Sequence, residues 1–115
     1  HSEAYAAGEL KHGTISLIEE NTPVISIITD DSIALKTLSN VKEVCARGAM
    51  SIIISNQKIE DKNVYQKLIL VSKVSEFIEP LLVIIKCQLI AYYVAKMNGC
   101  DIDKPRNLAK SVTVE

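Results

Sequence analysis

Two short apolar runs in the first half of the chain, Val24–Ile28 and Ile52–Ile54, flank a segment with helical periodicity. Runs that are apolar on both faces are typical of parallel strands covered by helices, so the first run is predicted to be a buried strand. Between them, apolar residues recur at spacings of three and four from Ala34 to Cys45, which predicts an amphipathic helix closed by Gly48. This order predicts a βαβ unit with parallel strands and a right-handed crossover.

The next elements follow from shorter signals. Asp30 and Asp31 precede the first helix and are expected to cap it. A third strand is predicted at Leu68–Val71, and Pro80 suits the first turn of a long helix that should run to Met97. The predicted fold class is therefore α/β, with a parallel sheet of at least three strands and helices on both of its faces.

The two ends of the chain carry weaker signals. Good helix formers predominate from Ser2 to Lys11, which predicts a short helix that ends near Gly13. The final segment, DIDKPRNLAKSVTVE, has no sustained period and is predicted to be a tail with one helical turn at Pro105–Ala109. Because the chain opens without an initiator Met or a basic leader, and three strands would leave an unprotected sheet edge, we expect a piece of a longer polypeptide.

The richest apolar stretch, Phe77–Val94, contains Glu79, Lys86 and Gln88, so its longest uninterrupted run is Leu81–Ile85. A helix that spans a bilayer needs about 20 consecutive, predominantly apolar residues. The stretch is therefore predicted to be a core helix, and no membrane partner is expected.

Composition narrows the function further. The 115 residues are 48% hydrophobic, enough for one domain with an apolar core. Thirteen basic and fourteen acidic residues give a net charge of −1, and only 4% of residues are aromatic, which argues against nucleic acid as a partner. The three cysteines form neither an even disulfide set nor a closely spaced metal pair, so reduced thiols in a cytoplasmic protein are expected.

Generic site motifs are largely missing from the sequence. It has no GxGxxG after the first strand, no GKS or GKT phosphate loop, no HExxH and no CxxC, so no cofactor or metal is expected. A metal shared by His1 and His12 is also disfavoured, because no cluster of further ligands accompanies them. Ser55-Asn56-Gln57 follows a strand end, where ligands of open α/β sheets bind, although polar residues there are more often turn formers.

Two further side chains stay ambiguous when judged from the residues alone. His12 follows a predicted helix beside Gly13 and could project into a site, but a surface or capping histidine is the commoner case. Lys110 lies between apolar residues in the tail, where a packed stem favours a neutral, nucleophilic amine, but a lysine near a chain end is normally a solvated charge.

Longer strings of sequence carry a family resemblance. AYAAGELKHG near the start and DIDKPRNLAKSVTVE at the end, with NTPVISI, VKEVCARG and QLIAYYVA between them, resemble the carboxy-terminal part of the glucosamine-6-phosphate synthase family, also called glutamine:fructose-6-phosphate aminotransferase (isomerizing). The resemblance covers essentially the whole chain. It implies a three-layer sugar isomerase (SIS) sandwich, Rossmann-like or flavodoxin-like, with residues 1–98 as the second SIS subdomain and 99–115 as a tail that contributes to the sugar-phosphate site.

The resemblance also implies roles for three residues. Lys110 corresponds to the lysine that forms a Schiff base with the sugar carbonyl, and Ala109 to the alanine that lines the sugar site. His12 corresponds to the histidine that assists opening of the sugar ring and that comes from the neighbouring subunit. The family's phosphate-binding loop and its proton-moving glutamate belong to parts of the enzyme that precede this segment, so the isolated chain is expected to be inactive.

The implied function is the isomerase half of an aminotransferase, which converts fructose 6-phosphate and glutamine-derived ammonia into glucosamine 6-phosphate. The implied partners are these sugar phosphates, the glutaminase and first SIS domains of the same enzyme, and a second subunit in a homodimer. The alternative is a non-catalytic SIS module that senses sugar phosphates or serves only for association. The intact NLAKSVTVE ending favours the enzyme, because a sensor has no evident need for an amine that forms a covalent adduct.

Overall fold

A computed structural model describes residues 1–104 of the chain. In this part of the chain, one α-helix lies between the first two strands and a second α-helix follows the third strand. The elements are β1 (Pro23–Ile28), α1 (Ala34–Cys45), β2 (Met50–Ser55), β3 (Lys67–Leu70) and α2 (Glu79–Met97), with 3-10 helices at Ala7–His12, Thr14–Leu17 and Lys62–Val64. The helical turn predicted at Pro105–Ala109 lies outside the described residues.

The three strands form one parallel sheet in the order β1-β2-β3. Ile27 lies opposite Ile54 on the neighbouring strand, and Ile53 lies opposite Leu68. The parallel sheet predicted from the apolar runs is confirmed, although β2 begins at Met50 and β3 ends at Leu70.

Helix α1 covers one face of the sheet. Ile53 in β2 is fully buried, and it belongs to a cluster with Ile28, Ala34 and Val41. Val44, near the end of α1, packs in a second cluster with residues of the 3-10 helices that precede β1. The amphipathic helix predicted between the first two strands is therefore confirmed.

The expected capping of α1 by Asp30 and Asp31 is wrong. The residue before α1 is Ile33, and no side chain caps the helix. Instead, the Asp30 carboxylate accepts hydrogen bonds from the backbone N–H of Ser32 at 2.8 Å and from its hydroxyl at 2.6 Å. Asp31 pairs with Lys73. Both carboxylates therefore stabilise the loop that leads into the helix. Their oxygens are occupied by Ser32 and Lys73 and do not bond to the first backbone N–H groups of α1.

Helix α2 covers part of the opposite face. Val83 packs against Ile54 and Val71, with Cys87 and Ile90 at the margin of this cluster. The expectation that helices lie on both faces of the sheet is confirmed, since neighbouring residues of a strand point to opposite faces and Ile53 and Ile54 contact different helices.

The prediction of a fully buried first strand is wrong. Burial alternates along β1, where Ile25 is 41% exposed and Ile27 is 48% exposed. By register, these residues share a face with Ile52 and Ile54, yet α2 packs over β2 and the end of β3 instead. β1 is one of the two edge strands, and within the described part of the chain it is covered on the α1 face alone.

Helix α2 has the predicted length but not the predicted burial. Pro80 lies in its first turn, and the helix ends at Met97, before Gly99 at a φ of +68°. Within α2, Glu79 and Val83 are the buried residues. Among residues 1–104, α2 is the helix whose length and composition would allow it to cross a membrane. The sequence predicts a core helix, but the other described residues contact only one side of α2. Its apolar residues surround the whole circumference, so the pattern could not indicate how many sides are covered.

The helix predicted for Ser2–Lys11 is shorter than expected. Residues 1–6 have no regular structure, and a 3-10 helix spans Ala7–His12, with Leu10 packed against the cluster around Val44. Short helices have little stability unless they bury apolar residues, which explains why only the segment near Leu10 is helical.

Candidate functional site

His12 is the last residue of the 3-10 helix Ala7–His12 and is exposed. The helix ends there because the N–H of Gly13 turns back to the carbonyl of Leu10, at 3.4 Å, and a second 3-10 helix starts at Thr14. The junction holds the backbone on both sides of His12 while its side chain faces outward. His12 is thus placed at a surface corner, where it can meet a group supplied from outside the described chain.

Lys110 and Ala109, the other two predicted site residues, lie outside the described residues. The structure therefore does not bring His12 together with either of them. The described path towards them ends in a turn in which the Asp101 carboxylate accepts hydrogen bonds from the N–H groups of Asp103, at 3.0 Å, and Lys104, at 2.9 Å.

Ser55-Asn56-Gln57 lies at the carboxyl end of β2, as expected, and its side chains make three internal hydrogen bonds. The hydroxyl of Ser55, a buried residue, accepts a hydrogen bond from the Gln57 N–H at 3.2 Å. The Asn56 amide donates to the carbonyl of Thr29, at 2.8 Å, and to the carboxylate of Glu79, at 2.6 Å. These contacts favour a structural role for the segment over direct ligand binding.

Sequence reasoning missed Glu79, which entered only as an interruption of an apolar stretch. It is the first residue of α2 and is 7% exposed, although carboxylates are seldom buried without partners. The available signal was its position directly before Pro80, where a first-turn carboxylate is favoured by the helix dipole. Its partner Asn56 lies 23 residues earlier and could not be found by spacing.

Charged side chains surround this edge of the sheet. The Lys73 ammonium lies 2.5 Å from the Asp31 carboxylate, which raises the pKa of Lys73, and the charge of Glu79 adds to this shift. The hydrogen bonds from Ser32 lower the pKa of Asp30. The carboxyl edge of the sheet thus carries paired charges between the β1–α1 loop and the segment before α2.

A shallow groove of about 490 Å³ separates the first 3-10 helix from α1. Its wall includes Ala6, Lys11, Lys36 and Asn40, and His12 follows directly in the chain. Within the described residues, no group of three or more His, Cys, Asp or Glu side chains is placed to hold a metal ion. The charged groups that line this groove are therefore two lysines, Lys11 and Lys36, and the carboxylate of Glu43.

Similar proteins match nearly the entire chain. It is 56% identical over 117 residues to the glutamine–fructose-6-phosphate aminotransferase (isomerizing) of Clostridium tetani, covering 100% of this chain and 19% of that relative. The enzyme of the same name from Caldanaerobacter subterraneus subsp. tengcongensis is 50% identical over 116 residues, with the same coverage of both chains. The chain thus spans about a fifth of the length of these curated relatives.

A solved structure is also similar. The C-terminal domain of glucosamine-fructose-6-phosphate aminotransferase from Francisella tularensis superposes with a TM-score of 0.79 at 34% identity, over 89% of this chain and 29% of that one. The resemblance stated from the sequence strings is thereby confirmed, as is the SIS type of the fold. Residues 1–97 match the SIS domain family, and the chain belongs to that family.

Proposed function

We propose that this chain is the carboxy-terminal part of the isomerase half of an enzyme that makes glucosamine 6-phosphate from fructose 6-phosphate and glutamine-derived ammonia. The observation that carries the proposal is the match of 56% identity, across the whole chain, to a relative named for this reaction. In this proposal, residues 1–98 form the second SIS subdomain, and residues 99–115 complete the sugar-phosphate site.

Lys110 supplies the nucleophile in the proposed reaction. Its neutral amine attacks the ketone carbon of the open-chain sugar, and loss of water leaves an imine between the lysine nitrogen and that carbon. The protonated imine withdraws electrons and acidifies the adjacent C–H bond, so that a base can move a proton between neighbouring sugar carbons. Ala109 lines the sugar site beside it, where a small side chain leaves room for the substrate.

His12 acts on the sugar before the imine forms. An imidazole can both donate and accept a proton, so it can deliver a proton to the ring oxygen as the ring opens and recover one later. The exposed position of His12 supports its contribution to the site of a neighbouring subunit, because a surface side chain can reach across an interface. The proposed enzyme is accordingly a homodimer in which each sugar site uses residues of both subunits.

An amine and an imidazole supply the nucleophile and the proton shuttle, so the proposed sugar chemistry needs no cofactor in this part of the enzyme. Cys45, Cys87 and Cys100 are all free thiols, which supports a reducing compartment such as the cytoplasm.

The test uses the full-length enzyme that carries this chain, incubated with fructose 6-phosphate and reduced with borohydride. Borohydride converts an imine to a stable secondary amine, which peptide mass spectrometry locates. We expect the adduct at Lys110 and nowhere else. Lys110→Arg should abolish both the adduct and glucosamine 6-phosphate formation, since a guanidinium stays protonated and forms no imine, while glutamine hydrolysis persists.

Two results would count against this function. An adduct at another lysine, or normal synthesis by the arginine variant, would remove Lys110 from the covalent step. Binding of fructose 6-phosphate with neither adduct nor turnover in the wild-type protein would favour the sensing module instead.

A further inference from the structure

The Asn56 side chain joins three elements at the carboxyl edge of the sheet. Its single amide nitrogen reaches the Thr29 carbonyl, which follows β1, and the Glu79 carboxylate, which begins α2. An amide nitrogen carries two hydrogens, and these two acceptors use both. The Asn56 carbonyl oxygen is buried and has no partner among the described residues, so the donors alone hold the side chain in place.

The Glu79 carboxylate is buried and is held by a short hydrogen bond. It receives a short hydrogen bond of 2.6 Å from Asn56, at the amino terminus of α2 where the helix dipole favours an anion. Lys73 lies near enough for the charge of Glu79 to raise the pKa of that lysine. A buried carboxylate with these partners fixes the first turn of α2 to the edge of the sheet.

The rest of α2 is attached on one side and over part of its length. Its apolar contacts with the sheet come from residues between Leu82 and Ile90, whereas Tyr93 is 56% exposed and Met97 is 86% exposed. A helix of 19 residues is roughly 28 Å long at 1.5 Å per residue, so a tilt of 10° at its start displaces its end by about 5 Å. The polar contact at Glu79 and the apolar contacts from Leu82 to Ile90 therefore together determine where the chain leaves α2.

We propose that Asn56 and Glu79 are positioning residues, whose hydrogen bond sets the direction of α2 and thereby delivers the segment that carries Lys110 to the sugar site. This inference rests on the proposed function. Neither residue touches the sugar: they act through the helix. Loss of the bond should slow formation of the imine while fructose 6-phosphate still binds, because displacement of a nucleophile by about 1 Å can cost on the order of 100-fold in rate.

The experiment compares variants of the full-length enzyme by the rate at which a borohydride-trapped adduct forms at Lys110. Asn56→Asp places a second carboxylate against Glu79. Glu79→Ala removes the acceptor of the hydrogen bond without introducing a second charge. Both should slow the adduct by at least about tenfold while the dissociation constant for fructose 6-phosphate changes less than about twofold. Glu79→Gln keeps an acceptor oxygen for Asn56 and should behave like the wild type.

Asp31→Asn is the matched control, because it weakens an exposed ion pair at the same edge without touching Asn56 or Glu79. It should leave the adduct rate unchanged. A wild-type rate in both Asn56→Asp and Glu79→Ala would overturn the inference. So would a loss of adduct formation in which sugar binding, glutamine hydrolysis and the melting temperature fall together in both variants, because that result describes a general fold contact. An absence of adduct in the wild-type enzyme would instead remove the proposed function itself, and this inference with it.

Discussion

Replacement of Ile53 by alanine should weaken the sheet more than any conservative change on its surface. Ile53 is 0% exposed at the centre of β2 and contacts α1 residues across the sheet. The change removes three carbon atoms, worth about 0.8 kcal/mol each, and leaves a cavity that neighbours fill only in part. The expected cost is roughly 3 kcal/mol for Ile53→Ala and about 1 kcal/mol for Ile53→Val.

Amide hydrogen exchange of the full-length protein, followed by mass spectrometry of the β2 peptide, reports this cost locally. A loss of 3 kcal/mol in opening free energy corresponds to an exchange rate faster by roughly 150-fold for amides that exchange through opening of the sheet. Leu35→Ala is the matched control, since Leu35 is 83% exposed on α1 and its truncation should cost less than about 0.5 kcal/mol.

The expected order of exchange rates is therefore Ile53→Ala, then Ile53→Val, then Leu35→Ala and the wild type together. Equal protection of β2 in Ile53→Ala and Leu35→Ala would refute the assignment of the cluster around Ile53 as the main support of the sheet.

Four further results are expected. Gly48→Ala should destabilise the protein by more than about 1 kcal/mol in chemical denaturation, because Gly48 has a φ of +87° and an added Cβ would meet the Glu20 side chain; a denaturation curve equal to that of the wild type would contradict this. Hydrogen bonds from the Asn63 N–H and from Lys42 lower the pKa of Asp61 below its ordinary 3.8, so its contribution to stability is present above pH 3.8 and disappears as the pH falls through the lower folded value; an NMR titration that places the carboxyl at or above 3.8 would refute this. The isolated 115-residue chain should form no glucosamine 6-phosphate from fructose 6-phosphate and ammonia, which a coupled assay of product would detect. Subunit exchange between His12→Ala and Lys110→Arg enzymes should restore up to about a quarter of wild-type synthesis, since half of the dimers then hold one intact shared site; no recovery would indicate that both residues act within one subunit.

The three strands, their parallel arrangement and both α-helices could be predicted from the sequence because the signals for strands and helices are local. Short apolar runs predict strands, and apolar residues spaced by three and four predict helices. Val24–Ile28 shows the first pattern and Ala34–Cys45 shows the second. The burial of those elements could not be predicted in the same way. Ile25 and Ile27 belong to a run typical of a central strand, but exposure depends on which elements lie beside it in space.

The candidate site could likewise be predicted only in part from local sequence. His12 could be placed at the end of a short helix from neighbouring residues, whereas its role, and those of Ala109 and Lys110, came from the resemblance. The bond between Asn56 and Glu79 joins residues far apart in sequence and of common types, so no spacing rule indicates it. A contact of this kind becomes visible only when the strand end and the helix start are placed in space.

The order of the strands also bears on synthesis by the ribosome. Since chain order and spatial order coincide, β2 can pair with β1 once Ser55 has emerged, and β3 can join once Leu70 has followed. Helix α2 emerges after the three strands, so Ile54 and Val71 lack their apolar cover until that helix has been made. During this interval the nascent sheet presents an uncovered apolar face, which favours chaperone binding at this stage of synthesis.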